Sequence, residues 1–271
     1  MLSRLRLISH QLIKSRTMST TVYNTNKACC SIPPVASDYQ PKGTIKPYAQ
    51  FKNVYVTGPE DSQNAIVCVY DIFGFFPQTQ QGADLLSSTL NTVVYMPDFF
   101  EPDAPYPIAE FPPKDEAGQK KLQAFFGSTA APPKATANLI EFAKKLKEQG
   151  KQKVFAYGFC WGGKVVISAG GEGTPLDAVS IVHPAMLSAD DASKLTVPLG
   201  IYPSKDEPKE EEYEKILEVL SKKPFASKVD GKYYPNMFHG WAAARGDLKN
   251  EENKKEYEDV YNRLAQFFCS V

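Results

Sequence analysis

The chain has 271 residues, 42% of them hydrophobic and 23% charged, and its 31 basic and 31 acidic side chains cancel to a formal net charge of zero. That length can bury a substantial core, and the balanced charge excludes the basic excess by which nucleic-acid and membrane-surface binders are recognised. No apolar run approaches the roughly 18 residues of a membrane span, and the five cysteines, Cys29, Cys30, Cys68, Cys160 and Cys269, have neither metal-ligand spacing nor the even count of a complete disulfide framework.

Residues 1–37 carry Arg4, Arg6, Lys14, Arg16 and Lys27 but no acidic residue, and Leu2, Leu5, Leu12 and Ile13 can form one apolar stripe. That is the description of a mitochondrial presequence, and equally of an untidy terminus. Initiation at Met18 would bypass most of the basic segment. The expectation is a cytoplasmic protein with a mitochondrial form through this segment, and a single domain over residues 38–271. A reducing compartment fits the odd cysteine count.

From residue 38 the chain is punctuated by Pro and Gly, and residues 53–57 alternate like an edge strand before the Gly58-Pro59 turn. Residues 65–70, A-I-V-C-V-Y, read as a buried strand that ends at Asp71-Ile72-Phe73-Gly74. A helix is predicted over 78–90, with Ala83, Leu86 and Leu90 on one side, and a buried strand over 92–96. Between Pro97 and Pro133 lie eight of the 21 prolines, which argues for a cap or wall over a cleft, with a short helix at 117–126. Residues 134–149 predict an amphipathic helix, Leu139, Phe142 and Leu146 inward and Lys144, Lys145 and Lys147 outward.

Residues 154–157 have the content of a buried parallel strand and stop abruptly at Gly158. Helical spacing resumes at 164–169. Strands are then predicted at 178–183 and 197–202, helices at 210–220 and 251–268, and a last strand candidate at 224–229. Strands alternating with helices indicate an α/β fold, a mostly parallel central sheet with helices on both faces.

The junction at 158–163 reads G-F-C-W-G-G. A strand, a G-x-C-x-G turn and a helix make the arrangement of a nucleophile elbow, where glycines two before and two after the reactive residue let the backbone fold tightly. The nucleophile would be Cys160. The start of the following helix favours a thiolate and leaves the N–H of Trp161 available to an oxyanion. The bland alternative is a small buried Cys in a glycine-rich turn.

A thiol nucleophile needs a base, and the base an orienting group. Of the three histidines, His10 lies in the terminal segment and His183 ends a predicted strand as a pocket-wall or structural residue. His239, in N-M-F-H-G-W, fits the order nucleophile, acid, histidine. The acid must fall between Cys160 and His239, just past a strand. Asp206, in Pro203-Ser204-Lys205-Asp206, is the best placed; Asp190, Asp191 and Glu207 are rivals that follow no strand so directly or sit one residue late. The second oxyanion N–H is expected from Ile72 or Phe73.

Y-D-I-F-G at 70–74, G-F-C-W-G-G at 158–163, S-K-D at 204–206 and H-G-W at 239–241 together resemble the dienelactone hydrolase family, especially its fungal branch, over roughly residue 38 to the C-terminus. The resemblance implies an α/β-hydrolase fold and a Cys-Asp-His triad of Cys160, Asp206 and His239. Bacterial members place a Glu before the oxyanion-loop Ile that helps switch the thiol to thiolate; here that position is Asp71. They also bind a substrate carboxylate with arginines, which makes Arg245 a substrate-binding candidate, and Trp241, Phe73, Phe75 and Phe76 are candidate pocket aromatics.

The expected activity is hydrolysis of a small ester or lactone through a thioester acyl-enzyme, in a monomer or homodimer, with no cofactor, metal, nucleic acid or membrane involved. A thiolate is a good leaving group as well as a good nucleophile, so strained lactones and activated esters suit it better than amides. Two alternatives stand beside this: a regulatory or binding protein on a hydrolase fold, and a thiol-dependent acyltransferase.

Overall fold

The apolar runs assemble into one sheet. The computed structural model describes residues 38–271; the presequence reading falls on residues 1–37, outside them. The strands are β1 (Thr44–Tyr48), β2 (Phe51–Thr57), β3 (Asn64–Val69), β4 (Val93–Pro97), β5 (Lys153–Phe159), β6 (Ala178–Val182), β7 (Leu199–Tyr202) and β8 (Asp230–Gly231), in the order β1-β2-β4-β3-β5-β6-β7-β8. β1 and β2 run antiparallel to their neighbours, and from β4 to β8 every pairing is parallel. Strands covered on both faces need continuous apolar sequence, and β4, β6 and β7 are buried along their whole length.

The helices are α1 (Pro77–Leu90), α2 (Glu116–Gly127), α3 (Pro132–Glu148), α4 (Trp161–Ala169), α5 (Ala189–Lys194), α6 (Glu210–Ser221) and α7 (Glu251–Ser270). β5 shows how they clasp the sheet. Its alternate residues Phe155, Tyr157 and Phe159 meet Phe268 and Tyr261 of α7 on one face, and α3 and α4 pack against each other and against β5 from the other. In α3, Leu139, Phe142 and Leu146 are fully buried, as their spacing requires. None of the described helices is long and apolar enough to cross a membrane.

Several elements depart from the sequence reading. Residues 224–229 are not a strand: Ala226–Lys228 form a single 3-10 turn, whose amides fold back on Phe225 and Ala226, and pairing with β7 starts only at Asp230. Phe225 and Val229 still reach the core, so their apolar character serves packing without a ladder. The helix after the elbow begins at Trp161, three residues earlier than expected, because Gly162 and Gly163 are helical. α5 carries no apolar period to betray it; a capping box between Ser188 and Asp191 starts it.

The proline-rich segment does lie over the sheet's carboxyl end. Tyr106 donates its N–H to the Ile72 carbonyl (2.9 Å), and the Trp161 indole Nε1 donates to the Ala130 carbonyl (2.7 Å). This cap is therefore tied to both loops from which the sequence predicts oxyanion donors.

Candidate active site

Cys160 stands where β5 turns into α4, with φ 52° and ψ −117°. A non-glycine residue holds such a conformation only when its surroundings impose it. Here the neighbouring backbone does so: the Cys160 carbonyl accepts from the N–H groups of Gly163 (3.1 Å) and Ala185 (2.9 Å), and its own N–H donates to the Val182 carbonyl (3.2 Å). The flanking glycines are required by contact. A Cβ on Gly158 would lie 2.2 Å from the Gly162 carbonyl oxygen, and one on Gly162 would lie 2.2 Å from that of Val69 on the adjacent strand. The bend thus turns the Cys160 side chain, 8% exposed, into the wall of a cavity.

That cavity, about 480 Å³ with its solvent mouth, is bounded by Asp71, Ile72 and Phe73 after β3, Cys160, Ala185 after β6, His239, Gly240 and Arg245, and by Phe111 and Phe126 from the cap. Loops beyond the carboxyl ends of parallel strands are where such sheets form sites. Trp241 and Phe75, candidate pocket aromatics, stand elsewhere: Trp241 is fully buried against Tyr234, and Phe75 packs edge-on to Tyr70. Phe111 and Phe126 take the role instead. The sequence marked their segment as a wall but gave no period to single them out.

His239 is hydrogen-bonded to Cys160 on one side and on the other places Nδ1 3.1 Å from Glu207 Oε2. The carboxylate facing the imidazole is therefore that of Glu207, not that of Asp206. Buried Ser204, just past β7, bridges to Tyr234, and the chain beyond it turns Lys205 and Asp206 outward before bringing Glu207 back in. Glu207 Oε2 also accepts from Ser204 Oγ (2.8 Å), and its side chain is 11% exposed. The exposed Asp206 holds the histidine differently, accepting the His239 backbone N–H at 2.8 Å. One residue's displacement along S-K-D-E separates the two roles, and strand-end counting cannot resolve it.

Burial pulls the His239 pKa down, but the Cys160 sulfur and the Glu207 carboxylate outweigh it and raise the value to about 11. The imidazole therefore carries its proton across the neutral range. His183, fully buried behind it, is held well below the usual histidine range, by burial first and then by the charge on His239.

Of the oxyanion candidates, Phe73 has its N–H committed to Asp71 Oδ1 at 2.9 Å. Trp161 is the first residue of α4, and its N–H is one that a helix leaves without an internal acceptor. With Phe73 engaged, Ile72 is the candidate left on the β3 loop.

Asp71 clasps two loops, since its Oδ2 accepts from the Ala244 N–H (3.1 Å). Burial raises its pKa from 3.8 to about 6 against the opposing pull of those two N–H groups and of His239 and Arg245. A carboxyl raised in the fold contributes stability while protonated and loses it as pH rises through the folded value. Going from about pH 4 to about pH 7, Asp71→Asn should thus gain about 2–3 kcal/mol relative to wild type. Urea unfolding at several pH values measures this difference, and a flat difference would contradict the raised value.

Arg245 lies along the cavity with its guanidinium near the rings of Phe111 (5.4 Å) and Phe238 (5.3 Å), and its Nη1 donates to the His239 carbonyl. Gly240, at φ +94°, leaves room for it: a Cβ there would come within 2.9 Å of the Arg245 Cδ.

Comparison with known proteins places the chain in a family and agrees with its fold. Residues 53–271 match the dienelactone hydrolase family. The chain belongs to that family. It is 34% identical over 225 residues to an uncharacterized AIM2 family protein of Schizosaccharomyces pombe, covering 80% of this chain and 86% of that one. A human carboxymethylenebutenolidase homolog is 33% identical over 115 residues, 41% of this chain and 43% of its own. Among solved structures, a candidate dienelactone hydrolase of Klebsiella pneumoniae superposes with a TM-score of 0.63 at 18% identity, over 84% of this chain and 98% of that one. The α/β-hydrolase fold of this dienelactone hydrolase family member is thereby shared across wide sequence divergence.

Proposed function

We propose that the protein hydrolyses small esters or lactones through a covalent thioester on Cys160. The observation that carries this reading is a cysteine at a positive-φ elbow, in a cavity wall, hydrogen-bonded to a histidine that is itself braced by a carboxylate. The Cys160 thiolate attacks the carbonyl carbon, and the oxyanion that forms is met by the N–H groups of Trp161 and Ile72. His239 gives its proton to the departing alkoxide, leaving the acyl group on sulfur. It then takes a proton from water, whose attack on the thioester expels the thiolate again. Glu207 keeps the imidazole oriented and favours its charged form, while Asp206 anchors its backbone.

The cavity fits a compact substrate with an apolar body. Phe73, Phe111 and Phe126 supply apolar walls and Arg245 a cation apart from the proposed catalytic groups, which favours an ester or lactone that carries a negative charge away from the reacting carbonyl. The human relative is named as a carboxymethylenebutenolidase homolog, and an unsaturated lactone with a pendant carboxylate has that same character.

The test is intact-protein mass spectrometry after rapid mixing with an activated aryl ester. One acyl group should appear on the wild-type chain and none on Cys160→Ala; turnover with acylation elsewhere would overturn the mechanism. The proposed role of Arg245 is checked separately. Arg245→Ala should raise KM for a carboxylate-bearing ester by about thirtyfold, about 2 kcal/mol of a charge-assisted contact, and leave its neutral counterpart nearly unaffected.

A further inference from the structure

Behind the cysteine and histidine lies a group for which the hydrolytic mechanism has no use. His183 ends β6 with φ +36°, its N–H donating to the Tyr202 carbonyl at 2.9 Å. Its side chain is fully buried, and both ring nitrogens lack a hydrogen-bond partner. A neutral imidazole has one N–H and one lone pair, and burying both without partners is uncommon. Glu207 Oε1 is likewise buried and unpartnered. These two side chains converge with that of His239: one ligand atom each from His183, Glu207 and His239 lies within 4.8 Å of the others, and the two imidazole rings are 5.3 Å apart.

Two imidazoles and a carboxylate are a ligand set that zinc-class divalent ions favour, with a fourth position left for water. We propose that His183, Glu207 and His239 form a binding site for such an ion, and that occupancy switches the thiol chemistry off by taking the His239 nitrogen that now faces Glu207. The His239 proton leaves to solvent as the metal binds. Geometry supplies the set: His183 sits at the end of β6, Glu207 follows β7, and His239 comes from the loop after β8, so the sheet itself brings three distant segments together. The inhibitory consequence rests on the hydrolase reading, whereas the binding site does not.

Cys160 is not one of the three ligands, so removing the sulfur should leave the metal bound. A conventional thiolate–metal adduct would do the opposite.

The experiment titrates Co²⁺, then Zn²⁺, into the full-length Cys160→Ser protein and into wild type. One equivalent of Co²⁺ should bind to each, with ligand-field absorption, no sulfur-to-cobalt charge transfer, and displacement by Zn²⁺. His183→Gln and Glu207→Gln should each weaken binding by about tenfold or more, with circular dichroism confirming the fold; if His183→Gln fails to fold, Glu207→Gln decides. Absence of binding, binding lost with Cys160→Ser, or binding that survives the ligand substitutions in folded protein would overturn the site. In wild type, Zn²⁺ should inhibit ester turnover reversibly on adding a chelator. If no ester is turned over at all, the hydrolase reading fails while the Co²⁺ titration still decides the site.

Discussion

Cys160→Ala is expected to lower kcat/KM for a small aryl ester by about four to six orders of magnitude, and His239→Ala by a comparable factor. The two act on the same bond-making step, so the double variant should be no worse than either single one. Such non-additivity is what separates a working nucleophile and base from two residues that merely stabilise the cavity. Both variants should remain folded, since Cys160 is small and His239 stands at the mouth with its side chain 22% exposed. Steady-state kinetics with a chromogenic ester, alongside thermal unfolding, measures both. Activity within about tenfold of wild type in folded Cys160→Ala would remove the covalent mechanism.

The second large effect distinguishes adjacent carboxylates. Glu207→Gln should cost about a thousandfold or more in kcat, as expected when the group fixing a catalytic imidazole loses its charge. Asp206→Asn should cost about tenfold, the loss of one charge-assisted bond to a backbone N–H. Glu207 is also among the causes that raise the His239 pKa to about 11. Its neutralisation should therefore move the alkaline limb of the pH–rate profile to lower pH, which Asp206→Asn should not. If the order of the two effects is reversed, Asp206 is the orienting acid and the contact at 3.1 Å is incidental.

Local signals carried much of this site. A β-branched and aromatic run interrupted by G-F-C-W-G-G contains both the strand and the steric reason for its sharp exit, and the structure shows the flanking glycines pressed against carbonyl oxygens. The assignment of His239 rested on order along the chain, which strand succession imposes. What the sequence could not reveal depends on side-chain direction. Asp206 and Glu207 are neighbours in a loop with no period, so only the fold decides which turns inward. The same holds for Phe111 and Phe126, whose proline-rich surroundings suppress helical and strand patterns alike, and for Trp241, where proximity to the histidine in sequence concealed a place in the core. β8 escaped because two residues of pairing are too short a signal to detect.

The tight approach of Gly162 to Val69 has an evolutionary corollary. The turn that displays the sulfur leans on the carbonyl of the strand beside it, so alignment of β3 with β5 and exposure of the reactive atom are geometrically one event. Mutational drift can remodel the aromatic cap and with it the choice of substrate. Larger side chains at the bend, by contrast, would be purged as folding defects before selection on activity could act.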